Sequence, residues 1–483
     1  MSGLSVVLLV LYLYTMTQST VVDVSLMTDA VIQEINQTVF VGVALDVSLL
    51  QNNWGGLNFS NDKVLTLASG LSPCYLRFGG YAGDALTFNS SLSMVRSHMT
   101  EGGHLDPPVN FTMTGNDWDI LNEFSRRAGM NLIFGLNALK RDGFKWDPTN
   151  ALELLRYTQQ KGYKLAGIEL GNEPDEFLGR YEVYVDPDQM GTDALTFQKL
   201  FRNMSYYNNT LFIGPDTAKP FIYLDEYLDT DGGMAVDAVS FHQYYFSPEV
   251  ADLVMFTEPY YFDQCIKKVI DAVDMATFHV KTKPVWLGET STVKGAGSPG
   301  LSNTYVAALM WLDKLGVAAK FGIKTVIRQD LYGSYNSLIQ PNTFDPNPDY
   351  WVTLLYKRLV GSHVFNLTTS ADNSVRVYAH CAKQNSSYDY GSGSVVLYAV
   401  NLNRNNVTLS LLQFGDRHLD VFWLTSQGNN ITATVVQLNG SPLHLINNAF
   451  PALNPLKLTS YLTIPALSLG FVVIPDAKVK LCI

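Results

Sequence analysis

The sequence predicts an α/β protein: a (β/α)8 TIM barrel with a C-terminal β-sandwich domain. Between about residues 36 and 345, short apolar runs alternate with longer segments of mixed polarity. The runs are continuously apolar, which is typical of parallel strands buried on both faces. That many β–α units in about 300 residues indicate a (β/α)8 barrel. Beyond residue 351, short β-rich runs separated by Gly, Asn and Ser turns predict the sandwich.

Residues 1–19 are predicted to be a signal peptide. The apolar stretch LSVVLLVLYLYTM (4–16) is too short to span a bilayer comfortably, and small residues at Thr17 and Ser19 suit cleavage after Ser19. The usual Lys or Arg before the apolar stretch is missing, and the alternative is a buried first strand or helix. We expect a secreted or lysosomal protein. The next segment, 20–35, contains VVDVSLM and is expected to join the β-sandwich as a strand.

The barrel is predicted over residues 36–350. Its strand-like runs are VFVGVALDV (39–47), PCYLRFGG (73–80), NLIFGLNAL (131–139), LAGIELGNE (165–173), AVSFHQYY (238–245), KPVWLGE (283–289) and TVIRQDL (325–331). Helix-like segments between them are DWDILNEFSRRAG (117–129), ALELLRYTQQKG (151–162) and NTYVAALMWLDKLGV (303–317). The stretch 86–116 contains paired glycines and paired prolines and is interpreted as a surface loop.

The C-terminal part, 351–483, is predicted to contain one more helix and then the β-sandwich. The helix is YWVTLLYKRLVG, and the β-rich runs are SVRVYAHC, GSVVLYAVNL, NVTLSLLQF, HLDVFWLTS and SYLTIPALSLGFVVI. The four cysteines include no C-x-x-C pair, so no zinc or redox motif is present. In an oxidising compartment, a disulfide between Cys381 and Cys482 would fix the last residues and contribute about 4–5 kcal/mol on the chain-entropy model.

Charge and modification motifs narrow the class of protein. Lys and Arg number 33 against 44 Asp and Glu, and the net charge of −11 without a basic block argues against a nucleic-acid partner. It argues equally against a generic polyanion binder. Acceptor sequons for N-glycosylation recur, which together with the leader favours a secreted glycoprotein. They are Asn36, Asn58, Asn89, Asn110, Asn203, Asn208, Asn366, Asn385, Asn406, Asn430 and Asn439.

Two glutamates lie where apolar strands end. Glu173 follows GIELGN, and Glu289 ends the run KPVWLG. Because the carboxyl ends of barrel strands face the active site, carboxylates at these positions are typical of catalytic groups. Retaining glycosidases use two carboxyls about 5–5.5 Å apart, one as nucleophile and one as acid/base. A salt bridge or a helix N-cap is the structural alternative for either residue alone.

Several segments together resemble the heparanases of glycoside hydrolase family 79. They are LSPCYLRFGG, NLIFGLNAL, IELGNEP, FHQYY, the stretch VWLGETSTVKGAGSPGLSNTYVAALMWLDKLG, GIKTVIRQDLYGS, FDPNPDYWVTLLYKRLVGSHV and the terminal DAKVKLCI. The resemblance runs from about residue 40 to the end of the chain. It implies the barrel-plus-sandwich fold, a retaining two-Glu mechanism, and no cofactor or metal.

The resemblance also implies roles for individual residues. Glu173 is expected to be the acid/base, with a raised pKa, and Glu289 the nucleophile. The supporting residues are Asn172 at the sugar 2-OH, Tyr244 as a donor to the nucleophile, His242 near the same pocket, and Arg77 and Asp46 orienting the carboxylates. The substrate-binding residues are Gly295 and Ala296, whose N–H groups hold the uronate carboxylate, and Gln329.

The substrate remains open at this stage. The first expectation is an endo-β-glucuronidase acting on heparan sulfate, as a monomer that meets membranes only through proteoglycans. However, the segments 79–84, 214–227 and FSPEV (246–250) lack cations that the family has, and the linker that the family excises is much shorter in 86–116. These departures favour an exo-enzyme or an endo-enzyme for less sulfated glycans, unless Lys140, Arg141, Lys145 or Lys294 substitute. The last alternative is a non-catalytic glycan-binding relative, against which the two retained glutamates argue.

Overall fold

The computed structural model describes residues 20–92, 109–384, 387–459 and 462–483. The predicted signal peptide, 1–19, and the centre of the predicted surface loop, 93–108, lie outside these residues, as does the sequon at Asn385. Within the described ranges, no helix combines the length and the apolar composition needed to cross a bilayer.

Eight parallel strands close into a barrel, and each strand pairs with its neighbours in chain order. The eighth strand returns to the first through the register Val326↔Val41. The barrel strands, numbered 1 to 8 below, are Val41–Asp46, Tyr75–Gly79, Asn131–Leu136, Gly167–Leu170, Leu211–Thr217, Ala238–Gln243, Val285–Thr290 and Ile323–Arg328. The predicted fold class, a (β/α)8 barrel with a separate β domain, is confirmed.

Helices surround the barrel and return the chain to the start of each next strand. The main ones are Asp62–Gly70, Gly115–Ala128, Thr149–Lys161, Pro187–Arg202, Ile222–Asp229, Pro259–Val280, Tyr305–Lys320 and Pro348–Leu359. Local sequence fixes their ends: Thr114 and Asp117 form a capping box at the start of the second, and Gly129 ends it in the left-handed conformation. The short helices Ser48–Gln51, Phe177–Tyr181 and Asp231–Ala235 lie in the connections.

The second domain is an eleven-stranded mixed sheet. Its strands are Thr20–Glu34, Val360–Thr369, Val375–Ala382, Val395–Asn401, Val407–Ser410, Leu419–Ser426, Val436–Leu438, Ser441–Pro442, Leu456–Leu458, Leu462–Ile464 and Ser468–Ile474. Thr20–Glu34 pairs antiparallel with Val360–Thr369 and parallel with Val407–Ser410. The first described strand of the chain therefore belongs to the C-terminal sheet.

The sheet buries both of its faces, which explains its nearly continuous apolar runs. In Val395–Asn401, Val396, Tyr398 and Val400 belong to the same core as the barrel helices. The alternate residues Val395, Leu397 and Ala399 belong to a second core enclosed by the sheet itself. The predicted disulfide between Cys381 and Cys482 is present at the edge of this second core, whereas Cys74 and Cys265 are buried free thiols.

Two sequence-based expectations were wrong about elements near the site. The stretch 86–116 is not a loop throughout, because Leu86–Asn89 pairs in parallel with Phe111–Thr114. Alternate apolar residues of these two strands are buried, and the Gly and Pro residues lie only between them. Barrel strand 5, Leu211–Thr217, was absent from the predicted strands because Gly214 and Pro215 interrupt its apolar run.

Candidate active site

Glu173 and Glu289 meet at the carboxyl ends of the barrel strands. Glu173 follows barrel strand 4, and Glu289 lies near the end of barrel strand 7. One carboxylate oxygen of each, together with a ring nitrogen of His242, lie within 4.8 Å of one another. All three residues are buried. This closest approach of the two carboxylates is compatible with the retaining arrangement, in which the carboxyls lie about 5–5.5 Å apart.

Glu289 is held by two strong donors. The Tyr244 hydroxyl donates to Oε1 at 2.7 Å, and Arg77 Nη1 donates to Oε2 at 2.9 Å. Both oxygens are thereby fixed in position, and charge-assisted hydrogen bonds of this kind stabilise an ionised carboxylate. A carboxylate oriented in this way can attack an anomeric carbon.

Arg77 connects the two sides of the site. Its guanidinium is fully buried and donates through Nε to both oxygens of Glu169, at 2.9 and 2.8 Å, and through Nη2 to Asn172 Oδ1 at 2.9 Å. The Asn172 N–H is bound in turn by Asp84 Oδ2 at 2.9 Å. Arg77 thus contacts the expected nucleophile and the expected 2-OH ligand at once.

Asp46 lies in the same barrel end but makes different contacts from those expected. It accepts a hydrogen bond from Gln329 Nε2 at 2.9 Å and one from the Ser48 N–H, also at 2.9 Å. A Cβ at Gly80, where φ is +120°, would lie 2.5 Å from Asp46 Oδ2, so only glycine fits beside this carboxylate. Among the described contacts Asp46 bonds neither Glu173 nor Glu289; its side-chain partner is Gln329. The Gln329 Oε1 atom is buried with no partner among the described residues.

Glu173 has an unusual backbone and a crowded carboxylate. Its φ and ψ of 54° and 59° place it in the left-handed region, which is uncommon for a residue other than Gly. Its N–H donates to the Asp216 carbonyl at 2.9 Å. The carboxylate lies 2.9 Å from His242 Nδ1 and 2.5 Å from Arg180 Nη2. Both of its oxygens are therefore occupied by nitrogen donors.

These neighbours lower the pKa of Glu173, whereas sequence analysis expected a raised pKa. Burial raises the pKa of Glu173, but the hydrogen bond from His242 and the positive charge of Arg180 outweigh it and lower the pKa to about 2. Burial lowers the pKa of His242, while the charge of Glu289, the nearby Asp216 carboxylate and the hydrogen bond with Glu173 raise it to about 10. The expectation of a raised pKa for the acid/base is thus wrong for the unliganded site. The causes are His242, which sequence analysis placed near the pocket, and Arg180, to which it assigned no role.

Gly295 and Ala296 lie in the loop that follows barrel strand 7. Their carbonyls accept hydrogen bonds, from Asn336 Nδ2 at 3.3 Å for Gly295 and from the Tyr335 N–H at 2.8 Å for Ala296. In the described part of the chain, neither of their N–H groups donates a hydrogen bond. Gly295 has a φ of +64° and is exposed. This segment therefore presents two free donors.

Sequence reasoning missed four polar residues of the site. Glu169 and Asp84 hold Arg77 and Asn172, Asp216 lies 3.6 Å from His242 Nε2, and Arg180 binds Glu173. Glu169 carried a signal, because it is a charged residue inside an apolar strand. Asp216 lies near the end of a strand that was not predicted. Arg180 lies on the short helix Phe177–Tyr181 and carried no signal in a single sequence.

Glu173, His242 and Glu289 are also spaced as metal ligands could be. Two guanidinium groups argue against that use, since Arg180 binds Glu173 and Arg77 binds Glu289. Cations so close repel a metal ion and already satisfy the carboxylates. The donor set suits an acid–base pair better than a metal centre.

Comparisons with known proteins identify the family of the chain. The family model for glycosyl hydrolase family 79, N-terminal domain, matches residues 50–316. Heparanase from Gallus gallus is 36% identical, covering 92% of this chain and 93% of the relative. Hyaluronoglucuronidase from Hirudo nipponia is 32% identical, covering 92% of this chain and 96% of the relative.

Among solved structures, a 4-O-α-L-rhamnosyl-β-D-glucuronidase from Fusarium oxysporum superposes with a TM-score of 0.71 at 18% identity. The match covers 94% of this chain and 99% of that structure, and at this identity it shows the shared fold alone. The assignment to a family depends on the family match and on the two relatives. The chain is a glycoside hydrolase and belongs to glycosyl hydrolase family 79.

Proposed function

We propose that the protein is a retaining endo-β-glucuronidase that hydrolyses glycosaminoglycan chains of the heparan sulfate type. The observation that carries the proposal is the carboxyl pair of Glu173 and Glu289, with oxygens within 4.8 Å. The similarity to proteins named heparanase and hyaluronoglucuronidase supports cleavage of glucuronate-containing glycans.

The reaction proceeds in two displacements. Glu289 attacks the anomeric carbon of a glucuronate, and Glu173 donates its proton to the departing glycosidic oxygen, which leaves as the hydroxyl of the next sugar. Glu173 then removes a proton from water, whose oxygen attacks the anomeric carbon and releases Glu289. When Glu289 is released at the end of the cycle, Arg77 and Tyr244 again donate their two hydrogen bonds to its carboxylate.

Neighbouring groups bind the glucuronate in this proposal. Asn172, fixed by Arg77 and Asp84, bonds the 2-OH of the sugar that reacts. The free N–H groups of Gly295 and Ala296 bind the uronate carboxylate. The unpartnered Gln329 Oε1 accepts a sugar hydroxyl, while Asp46 holds the amide of the same residue.

A second candidate substrate is a less sulfated glucuronate polymer. The leech relative is named for hyaluronan rather than heparan sulfate. Two of the cations near the site are already neutralised, since Arg141 pairs with Asp193 and Lys219 with Glu176. Lys145 and Lys294 are exposed and available for sulfate groups. An exo-acting β-glucuronidase is the third candidate, and a non-catalytic binder has no need for the carboxyl pair.

We also propose that the protein is secreted or lysosomal and acts as a monomer. The disulfide between Cys381 and Cys482 suits an oxidising compartment. Exposed sequons such as Asn58 and Asn203 suit passage through the secretory route.

Digestion of size-defined polymers at pH 5 tests the function. Heparan sulfate, hyaluronan and a small aryl β-glucuronide are incubated with the enzyme, and the products are separated by size-exclusion chromatography. Mid-sized fragments from heparan sulfate support the first candidate, and fragments from hyaluronan alone support the second. Release of aglycone with both polymers intact supports the exo-enzyme. Absence of cleavage in all three would overturn the proposal.

A further inference from the structure

Arg180 lies at the rim of the site, one short helix beyond the acid/base. Its Nη2 is 2.5 Å from Glu173 Oε2, and its guanidinium lies over the Tyr81 ring, 5.2 Å from the centroid. The Tyr181 hydroxyl donates to the Tyr81 carbonyl, which joins the same two segments. The Arg180 side chain is 29% exposed, against 8% for Glu173. Its outer edge is therefore open to solvent.

This pairing conflicts with the role proposed for Glu173. A general acid must carry a proton when the glycosidic oxygen departs, whereas Arg180 binds the ionised carboxylate. Its other oxygen faces His242. The remaining ionisable groups whose charge or backbone reaches Glu173 come from every neighbouring element: Arg77, Asp175, Asp216, Lys219, Tyr244 and Glu289. Among these and His242, Arg180 alone is both in contact with Glu173 and partly exposed, so it is the partner that a substrate can displace.

We propose, building on the proposed function, that Arg180 is a specificity-determining residue that leaves Glu173 to bind a sulfate group on the leaving-group sugar. The Glu173 oxygen that Arg180 vacates can then hold a proton, while the other oxygen keeps its contact with His242. The geometry supports this exchange, because Glu173 must face the departing oxygen and Arg180 lies directly beside it. The leaving-group sugar therefore passes close to the Arg180 guanidinium.

The exchange breaks one ion pair of Arg180 and forms another. A guanidinium binds sulfate oxygens through paired N–H donors, so Arg180 trades one anionic partner for another. The Tyr81 ring stabilises the Arg180 guanidinium by a cation–π contact, which the proposal retains in both positions. Removal of the closest positive charge also raises the pKa of Glu173 from its low value in the unliganded site.

The test compares two synthetic substrates that differ at one group. Both place glucuronate before a glucosamine leaving group, which carries N-sulfate in one and N-acetyl in the other. The values of kcat and KM are measured between pH 4 and 7 for the wild type, Arg180→Gln and Arg180→Lys. Lys219→Gln is the control, because Lys219 is an exposed cation that pairs with Glu176 beside the same site.

We expect the wild type and the Lys219→Gln control to prefer the N-sulfated substrate by about tenfold or more in kcat/KM. Arg180→Gln should lose this preference, and Arg180→Lys should restore part of it. With the N-acetyl substrate, Arg180→Gln should keep its activity to higher pH, since its general acid holds the proton more tightly.

Unchanged selectivity in Arg180→Gln would overturn the proposal. Equal losses on both substrates with an unmoved pH profile would assign Arg180 a structural role and overturn it too. Equal cleavage of the two substrates by the wild type would refute this inference while leaving the proposed function standing. If the wild type cleaves neither glucuronide, both fall together.

Discussion

Arg77 and Glu289 form an ion pair across the barrel, with Nη1 2.9 Å from Oε2 and no part of the guanidinium exposed. The same guanidinium also bonds Glu169 and Asn172. The carboxylate of Glu289, the proposed nucleophile, is thus fixed to the barrel interior rather than to a loop. A site built on rigid strands in this way keeps its geometry before substrate arrives.

Glu289→Gln should abolish turnover and leave the fold intact. The amide is nearly isosteric but is not a nucleophile, and loss of a group of this kind costs about 10⁴-fold or more in kcat. Hydrolysis of an aryl β-glucuronide and thermal unfolding are measured for the variant. Glu249→Gln, at an exposed position beyond barrel strand 6, is the matched control and should behave as wild type. Wild-type activity in Glu289→Gln would remove the basis of the mechanism.

Arg77→Met should destabilise the protein strongly. The change leaves Glu169 and Glu289 buried without their cation, and breaking a buried pair costs about 3–5 kcal/mol. The free energy of unfolding is obtained from urea denaturation. Arg126→Met is the control, since its pair with Glu123 lies on the surface, where solvent screens the interaction. Similar losses in the two variants would contradict the importance of the buried network.

Stability should fall as the pH rises from 5 to 7. Burial raises the pKa of Asp84 to about 7 and those of Asp175, Asp330 and Asp349 to about 6. In the unfolded chain these carboxyls ionise near pH 4, so the folded state binds more protons across this window and loses stability as they ionise. Burial lowers the pKa of His380 to about 4 and that of Lys314 to about 7, and these two groups act in the opposite sense but are outnumbered by the four carboxyls.

The measurement is the melting temperature at pH 5.0 and 7.0 in buffers of equal ionic strength. We expect the higher value at pH 5.0, and Asp84→Asn should reduce the difference. At lower pH Glu173 acts in the opposite sense, because its pKa is lowered and its stabilising charge is lost as the pH falls from about 4 toward 2. A melting temperature that rises steadily from pH 5 to 7 would contradict the assignment.

The sequon at Asn439 should remain unglycosylated in a protein secreted from eukaryotic cells. Its amide nitrogen donates to the Val421 carbonyl at 2.9 Å, and its Oδ1 accepts from the Trp423 N–H at 2.9 Å. A glycan on this nitrogen would break a contact that holds two strands together. The exposed Asn58 and Asn203 are the comparison sites, and mass spectrometry after enzymatic deglycosylation reports each occupancy. A modified Asn439 would show that the modification precedes folding of this sheet.

The sequence predicted the framework of the site better than its electrostatics. Glu173 and Glu289 were found because each ends an apolar run, and that signal depends only on local sequence. Barrel strand 5 was missed because Gly214 and Pro215 weaken the strand pattern, although pairing with both neighbours forms it. The paired strands around the 93–108 segment were missed for a similar reason, since turn residues between them dominated the interpretation.

The pKa of Glu173 was predicted in the wrong direction for a different reason. Burial alone does raise it, as expected of a general acid, but the result depends on Arg180 and His242, which reach the carboxylate from separate segments. Such contacts depend on how loops fold over the barrel end. A single sequence carries no pattern for them.

The strand Thr20–Glu34 also affects the order in which the molecule can assemble. Val24 pairs with Thr369, and Thr20 pairs with Val407, so the strand that leaves the ribosome early has no partner until nearly the whole barrel has been synthesised. Until then its backbone N–H and C=O groups are unpaired. Unpaired strands of this kind favour association with other chains. Protection of this strand during translation therefore favours correct folding, and truncated chains that end before the C-terminal sheet are expected to aggregate.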